Sequence, residues 1–230
     1  MKKMINFNTK ELKEFYNKEG YAPHEHIFGF LNDNVFNELL DSFPSDDLFE
    51  DEFPETRKLN QRPHCRRFMC VYENEQSPYF VKYRKELNKL PELWQEVCSN
   101  MLEPKGDYQR WIKETLQIED FKIRFDFHRT QSGLDVSPHV DSLGKYGSHL
   151  FYFMPEGWQE SFGGKTIFYK EKLIPEMNPE PINFKQSTSY PVVGNYSLLF
   201  KNVKDGWHGV TQVKSEENLH RQLFNVVILK

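Results

Sequence analysis

The chain has 230 residues, a formal net charge of -4 and a sequence pI near 6.1. This length fits one domain with a substantial core, and the lack of a basic excess argues against nucleic acid as a general electrostatic partner. Cys65, Cys70 and Cys98 show no C-x-x-C spacing, which excludes the common zinc and redox motifs and favours free thiols in a reducing compartment.

The first ten residues, MKKMINFNTK, lack the apolar stretch of a signal peptide. No later segment reaches the ~18 uninterrupted apolar residues of a membrane span. We therefore expect a cytoplasmic protein without a membrane partner, and the sequence leaves the oligomeric state open.

Helical patterns dominate about residues 1–118. One helix is expected from an N-cap at Asn8 or Thr9 to a stop at Gly20. Further helices are predicted over DNVFNELLDSF, over about residues 77–90, from Pro91 as first residue through PELWQEVCSNMLE, and over DYQRWIKETLQ. The acidic stretch at residues 45–58 is expected to be a solvated loop.

The segment RPHCRRFMC, residues 62–70, places three arginines beside apolar residues in this helical half. A solvated basic face is the ordinary interpretation. The alternative is a flap over a binding site, in which an arginine, Arg67 above all, pairs with an anionic or strongly polar substrate.

From about residue 119 the pattern changes to short strands separated by turns, which is typical of a β-sandwich or barrel. The expected strands are FKIRFDFH, SHLFYFM, KTIFYK, YSLLFK, GWHGVTQV and RQLFNVVIL. We expect one domain over residues 1–230, with helical support at about 1–118 and a β core at about 119–230.

The motif SPHVDS, residues 137–142, suggests a metal site. In an extended strand His139 and Asp141 point to the same face. His208, in the strand-like run DGWHGV, is a candidate third ligand. Two imidazoles and one carboxylate form the facial triad of non-haem Fe(II) sites. Zinc is the competing metal, although no HExxH helix motif is present.

Arg221 follows His208 by thirteen residues. If the two runs form a hairpin that turns near Glu216, Arg221 lies ~10 Å from His208 along the sheet. That distance suits a 2-oxo acid that chelates iron at one end and pairs with the guanidinium at the other. Triad and arginine together predict 2-oxoglutarate.

The order of four sequence elements resembles that in the Fe(II)/2-oxoglutarate-dependent oxygenase superfamily, on its prolyl-4-hydroxylase-like branch. They are HVD at 139–141, Gly163–Gly164 followed by KTIFYK, WHGV at 207–210, and Arg221. The segment HEHIFGFLNDNVFNELLDSFP is similar to the opening of such domains. The resemblance implies a double-stranded β-helix, a cupin-like jelly roll with supporting helices, whose mouth holds the iron.

The resemblance also implies an activity. With Fe(II), 2-oxoglutarate and O2, such an enzyme hydroxylates an unactivated C–H of a small molecule or an amino-acid residue and releases succinate and CO2. Desaturation or cyclisation is an alternative outcome of the same site. A non-enzymatic cupin-like barrel that binds metal or sugar is a second class, and Arg221 argues against it.

Three further residues are candidates for the pocket. The resemblance implies a contact between Tyr152 and the distal carboxylate, with the role of a packed strand aromatic as the alternative. Trp158 is a candidate for the pocket border. His128 lies where related enzymes often contact 2-oxoglutarate, although a polar residue at the end of a strand is the commoner meaning.

Overall fold

A computed structural model describes residues 5–54, 62, 64–72 and 78–230. Within these ranges it contains three α-helices and eleven β-strands. The helices are α1 (Asp33–Asp41), α2 (Glu92–Leu102) and α3 (Asp107–Leu116). The strands are β1 (His24–Phe28), β2 (Glu50–Glu52), β3 (Arg66–Val71), β4 (Lys122–Thr130), β5 (Val136–His139), β6 (Lys145–Tyr152), β7 (Thr166–Lys172), β8 (Phe184–Ser189), β9 (Tyr196–Lys201), β10 (His208–Val210) and β11 (Arg221–Leu229).

The strands form two sheets. A large sheet has the order β1-β9-β6-β11-β4-β3-β2, and a small sheet has the order β5-β10-β7-β8. Every pairing is antiparallel. The protein is therefore mainly β, as the sequence predicts, and the two sheets are consistent with a jelly roll.

The large sheet is covered on both faces, because alternate residues of a strand point to opposite sides. On its outer face Phe127 packs against Trp94 of α2, with ring centroids 5.1 Å apart. On its inner face Leu223 shares a second core with Phe168 of the small sheet. The helices thus support the large sheet from outside and leave its inner face to the small sheet.

Three of the predicted helices are present. Asn32 caps α1 with a side chain that accepts a hydrogen bond from the backbone N–H of Asn34 at 3.0 Å. Gln117 ends α3 in the left-handed conformation. Pro91 precedes α2 as its N-cap instead of opening the helix. No helix in the described ranges has the length and apolar character needed to cross a bilayer.

The helix expected from Asn8 or Thr9 to Gly20 is wrong. Turns occupy this segment, and the backbone N–H of Asn8 donates to the carbonyl of Phe30 at 2.9 Å. Phe15 is buried in the main core. Contacts with distant residues therefore replace the local hydrogen bonds that a helix would have made.

The helix expected over about residues 77–90 is also wrong, and its first residue, Ser77, lies outside the described residues. Two short 3-10 turns, Pro78–Tyr83 and Leu87–Lys89, take its place. The backbone N–H of Lys85 donates to the carbonyl of Cys70 at 2.8 Å. This link to β3 holds the segment against the edge of the sheet and interrupts a continuous helix.

The idea of a helical N-terminal half is not confirmed. Strand β1 pairs with β9, and β3 pairs with β4, so early segments complete the large sheet. Residues 66–70 of RPHCRRFMC lie in strand β3, and Pro63 lies outside the described residues. The acidic stretch, expected to be a solvated loop, contains β2, which pairs with β3, and its residues 55–58 lie outside the described residues. Each of these strands depends on a partner strand that local sequence patterns do not identify.

Candidate metal centre

His139, Asp141 and His208 meet at the inner face of the small sheet. His139 and His208 are directly paired residues of the antiparallel strands β5 and β10, and such a pair projects to one face. Asp141 Oδ2 lies 4.0 Å from His208 Nε2. One ligand atom from each residue lies within 4.8 Å of the other two. The structure thus brings the three predicted ligands together.

Backbone carbonyls orient both histidines. The Nδ1 of His139 donates to the carbonyl of Ser137 at 3.0 Å, and the Nδ1 of His208 donates to the carbonyl of Gly206 at 2.8 Å. A carbonyl oxygen only accepts, so each Nδ1 carries the proton. Nε2 is then the atom of each ring with a lone pair for a metal, the arrangement usual for ligating histidines.

Gly209, in the WHGV motif, lets the two ligand strands approach each other. A Cβ atom built on Gly209 would lie 2.5 Å from the carbonyl oxygen of Val136. Any larger residue would push β10 away from β5. The glycine next to His208 therefore helps to set the distance between the paired histidines.

Charge favours the ionised form of Asp141. Burial raises the pKa of this carboxyl, but the nearby Lys145, His208 and His139 outweigh that effect, so the pKa falls well below its usual value. Lys145 Nζ donates to Asp141 Oδ1 at 2.8 Å. The carboxylate is therefore charged at neutral pH, and one of its oxygens is held in place.

These donors suit a metal ion. Two imidazole nitrogens and one carboxylate oxygen on one face leave three positions open in an Fe(II) site, and zinc accepts the same ligand types. Among the described residues, no fourth His, Cys, Asp or Glu joins the cluster. The remaining coordination positions are therefore available to small molecules.

Arg221 and His208 lie in different sheets. Arg221 opens β11, which pairs with β4 and β6, whereas β10 pairs with β5 and β7. The predicted hairpin near Glu216 is therefore wrong, because the connecting segment crosses between the sheets and its Val213 pairs with Gly163. Arg221 and the triad nevertheless line one cavity of about 860 Å³.

The guanidinium of Arg221 is buried with one hydrogen-bond donor unpaired. Its Nε donates to the carbonyl of Gly164 at 2.7 Å, while Nη2 is buried without a partner among the described residues. Burial lowers the pKa of Arg221 to about 10, which leaves it charged at neutral pH. A buried, charged and partly unpaired guanidinium fits a carboxylate ligand.

Gly163 lies close to the backbone of Gln212, and Gly164 lies close to the side chain of Arg221. Both have positive φ angles, 76° and 68°. A Cβ on Gly164 would lie 2.8 Å from Arg221 Cδ, and one on Gly163 would lie 2.2 Å from the carbonyl oxygen of Gln212. The Gly-Gly pair therefore does more than form a turn, because it lets the chain pass directly over the arginine.

Tyr152 and Trp158 have different surroundings. The hydroxyl of Tyr152 is hydrogen bonded to Thr166 Oγ1 at 2.8 Å, and the guanidinium carbon of Arg221 lies 5.5 Å from its ring centroid. Trp158 packs against Phe162 at 5.7 Å and is not among the residues that line the cavity. The structure therefore places Tyr152 beside Arg221 but keeps Trp158 away from the cavity.

Arg67, the predicted substrate contact, is also away from the cavity. Its guanidinium forms an ion pair with Asp46 and donates to the carbonyl of Phe49 at 3.1 Å. Its neighbour Arg66 lines the cavity, where its Nη1 lies 3.0 Å from Nδ1 of His128. Alternation along β3 therefore assigns the cavity face to Arg66.

The cavity also contains Arg124, Asp126 and Asn225, which the sequence did not single out, and it includes the candidate residue His128. Arg124, Asp126 and His128 share the inner face of β4, and Asn225 lies opposite Asp126 on β11. Arg124 and Asp126 form a buried pair with hydrogen bonds of 2.6 and 2.8 Å. The sequence does contain a pattern that indicates these residues. Every second position of FKIRFDFH is polar, which indicates a strand with one polar face.

Solved structures with this fold include prolyl hydroxylases and a carbocyclase. A Pseudomonas putida prolyl-4-hydroxylase aligns with a TM-score of 0.57 and 13% identity, over 91% of this chain and 93% of that chain. A Trichoplax adhaerens prolyl hydroxylase, in complex with a hypoxia inducible factor peptide fragment, gives 0.56 and 15%, over 93% and 84%. The non-haem α-ketoglutarate-dependent carbocyclase SnoK from nogalamycin biosynthesis gives 0.58 and 10%, over 98% and 87%.

No protein-family profile and no curated protein sequence matches the chain. The likeness is therefore one of fold. That fold is the one that the resemblance to 2-oxoglutarate/Fe(II) oxygenases implies.

Proposed function

We propose that the protein is an Fe(II)- and 2-oxoglutarate-dependent dioxygenase. His139, Asp141 and His208 would hold the iron, and Arg221 would pair with the distal carboxylate of 2-oxoglutarate. The supporting observation is the unpaired, buried Nη2 of Arg221 in the cavity that the triad lines. A buried guanidinium donor without an acceptor costs free energy, and a carboxylate ligand would supply that acceptor. α-Ketoglutarate is another name for 2-oxoglutarate, so the shared fold with SnoK supports the same cosubstrate.

The bound iron and 2-oxoglutarate would supply the oxidising chemistry, which consumes O2 and releases succinate and CO2. The protein would supply positions. Carbonyls behind His139 and His208 orient the ligand nitrogens, and Lys145 holds one oxygen of Asp141. The carbonyl of Gly164 holds Arg221. These contacts preorganise both ends of the cosubstrate site.

Other residues complete the surroundings of the cosubstrate. The ring of Tyr152 lies beside Arg221, with the guanidinium carbon 5.5 Å from the ring centroid, and its hydroxyl is hydrogen bonded to Thr166, which lines the cavity. Leu150 and Leu223 line the same cavity with apolar side chains. Apolar walls exclude water, and in a dry site each charged hydrogen bond is stronger.

Hydroxylation of an unactivated C–H is the reaction that we propose. Asp141 supplies a carboxylate ligand in the triad, which favours hydroxylation over halogenation. The fold shared with a carbocyclase makes ring closure the second candidate outcome. Product mass distinguishes them, because hydroxylation adds one oxygen atom whereas oxidative ring closure removes two hydrogen atoms.

A non-enzymatic metal- or sugar-binding barrel remains the alternative class. Such a barrel would not need a buried guanidinium with an unpaired donor at the far side of the metal cavity. Binding of 2-oxoglutarate to the metal-loaded protein therefore separates the two classes without knowledge of the oxidised substrate.

The charged residues of the cavity bear on the substrate class. We infer a small molecule or peptide residue with an anionic or strongly polar group, since Arg66, Arg124 and Lys145 line the cavity, where they are paired with Glu52, Asp126 and Asp141. Arg66 replaces Arg67 as the arginine of RPHCRRFMC that lines the cavity. The peptide complex of the Trichoplax prolyl hydroxylase supports keeping peptides among the candidates.

The experiment is a calorimetric titration of Mn(II)-loaded protein with 2-oxoglutarate. Arg221→Gln should weaken binding by about 10- to 100-fold, because it removes hydrogen bonds of a charged group worth about 1.5–3 kcal/mol. Arg67→Gln is the matched control and should bind like the parent, since Arg67 does not line the cavity. Equal affinity in the Arg221 variant and the parent would refute the cosubstrate assignment.

A further inference from the structure

Asn225 is a buried polar side chain that the proposed iron and cosubstrate contacts do not use. The residue is 8% exposed, and its Oδ1 is buried without a hydrogen-bond partner among the described residues. It lines the same cavity as the triad. A buried amide oxygen without a donor destabilises the fold, so its presence points to a ligand that supplies the donor.

The position of Asn225 separates it from the cosubstrate carboxylate. It follows Arg221 by four residues on the same face of β11, which places its Cα ~13 Å farther along the strand. The carbonyl of Gly164 holds the Arg221 guanidinium near the first residue of β11, so a carboxylate paired with that guanidinium lies away from Asn225. This step rests on the proposed function, and it assigns Asn225 to the part of the cavity left for the substrate.

The neighbours of Asn225 determine which chemical group would fit. Asp126 is its direct partner on β4, and both carboxylate oxygens of Asp126 already accept hydrogen bonds from Arg124. Leu150 is its direct partner on β6 and offers no polar atom. The amide oxygen therefore lies beside an acceptor and an apolar side chain, and neither can donate to it.

We propose that Asn225 is a specificity-determining residue that accepts a hydrogen bond from a hydroxyl or ammonium group of the oxidised substrate. The acceptor pair of Asn225 and Asp126 selects substrates with such a donor. Apolar substrates of the same shape leave both acceptors without a new partner and bind less well.

A stability measurement without substrate tests whether Asn225 Oδ1 is unpaired. Asn225→Leu replaces the amide by an apolar side chain of similar size and should raise the Tm by about 2–4 °C. Asn195→Leu is the matched control, because Asn195 is also buried but donates to the carbonyl of Leu31 at 2.6 Å and to Asp33 at 2.9 Å. That control should lower the Tm.

A binding measurement tests the ligand class. Three probes of one chain length, 1,5-pentanediol, 1,5-diaminopentane and 1,5-dimethoxypentane, are presented to the Zn(II)- and 2-oxoglutarate-loaded protein in saturation-transfer NMR. The diol or the diamine should bind the parent about tenfold more tightly than Asn225→Leu, and the donor-free diether should not distinguish them. The preferred probe tells hydroxyl from ammonium. If the leucine variant does not fold, Asn225→Ala carries the comparison.

Failure of the Asn225 proposal can be distinguished from failure of the proposed dioxygenase function. Failure of the Mn(II)-loaded parent to bind 2-oxoglutarate would remove the proposed function. With that binding intact, the Asn225 proposal is overturned by a leucine variant that folds with a Tm at or below that of the parent. It is overturned equally by donor probes that bind the variant like the parent, that bind no better than the diether, or that do not bind the parent.

Discussion

The substitution Gly164→Ala should disturb Arg221 without touching the metal ligands. The new Cβ would lie 2.8 Å from Arg221 Cδ, where ordinary contacts between carbon atoms begin near 3.5 Å. The arginine must therefore move by roughly 1 Å or the loop must shift. Either change weakens the hydrogen bond between Arg221 Nε and the carbonyl of Gly164.

The expected magnitude has two parts. Alanine at a φ of +68° costs about 1–2 kcal/mol of backbone strain. Gly29→Ala is the matched control, because Gly29 has a φ of +67° and no atom within 4 Å of its added Cβ. Both variants should lose stability, by about 2–8 °C in Tm. Only Gly164→Ala should also weaken 2-oxoglutarate binding, by about 10- to 100-fold.

The assay pairs two titrations on each variant, Mn(II) into the apo protein and then 2-oxoglutarate into the Mn(II)-loaded protein. Metal affinity should match the parent in both variants, since no ligand residue is altered. Equal 2-oxoglutarate affinities in the Gly164 and Gly29 variants would refute the argument that the Gly-Gly motif positions Arg221.

Two further predictions concern the metal and the pH dependence of stability. His208→Ala should lower Mn(II) affinity at least about 100-fold, because it removes one of three protein ligands; a variant that binds Mn(II) like the parent in calorimetry would mean that another histidine is the ligand. Burial lowers the pKa of His24 from 6.5 to about 4, although its hydrogen bond to the carbonyl of Ala22 acts in the opposite direction. The unfolded chain then binds a proton that the folded chain does not, so the free energy of unfolding should fall by up to about 3 kcal/mol as the pH drops from 6.5 to 4. Urea titrations of the parent and His24→Phe should show a smaller loss in the variant, and identical losses would contradict this role for His24.

The metal ligands could be predicted from short sequence motifs. The H-x-D spacing suggested two ligands of one metal, and the side chains of His139 and Asp141 do meet, although β5 ends at His139 and Asp141 lies two residues beyond it. Helices α1 and α3 were equally readable, because capping and apolar spacing act within a few residues. The motifs HVD, Gly-Gly, WHGV and Arg221 carried the resemblance, and the structure has the fold that this resemblance implies.

Only the tertiary structure decided which strands pair and therefore which side chains face the cavity. β10 and β11 are close in sequence but belong to different sheets, so Arg221 reaches the cavity from the side opposite His208 and not along a shared hairpin. Residues 66–71 form a strand because β4 offers an edge more than fifty residues away. A shift of one residue along a strand exchanges its faces, and this is why Arg66 instead of Arg67 lines the cavity. Pairing between distant strands depends on hydrogen bonds and packing that no local window of sequence contains.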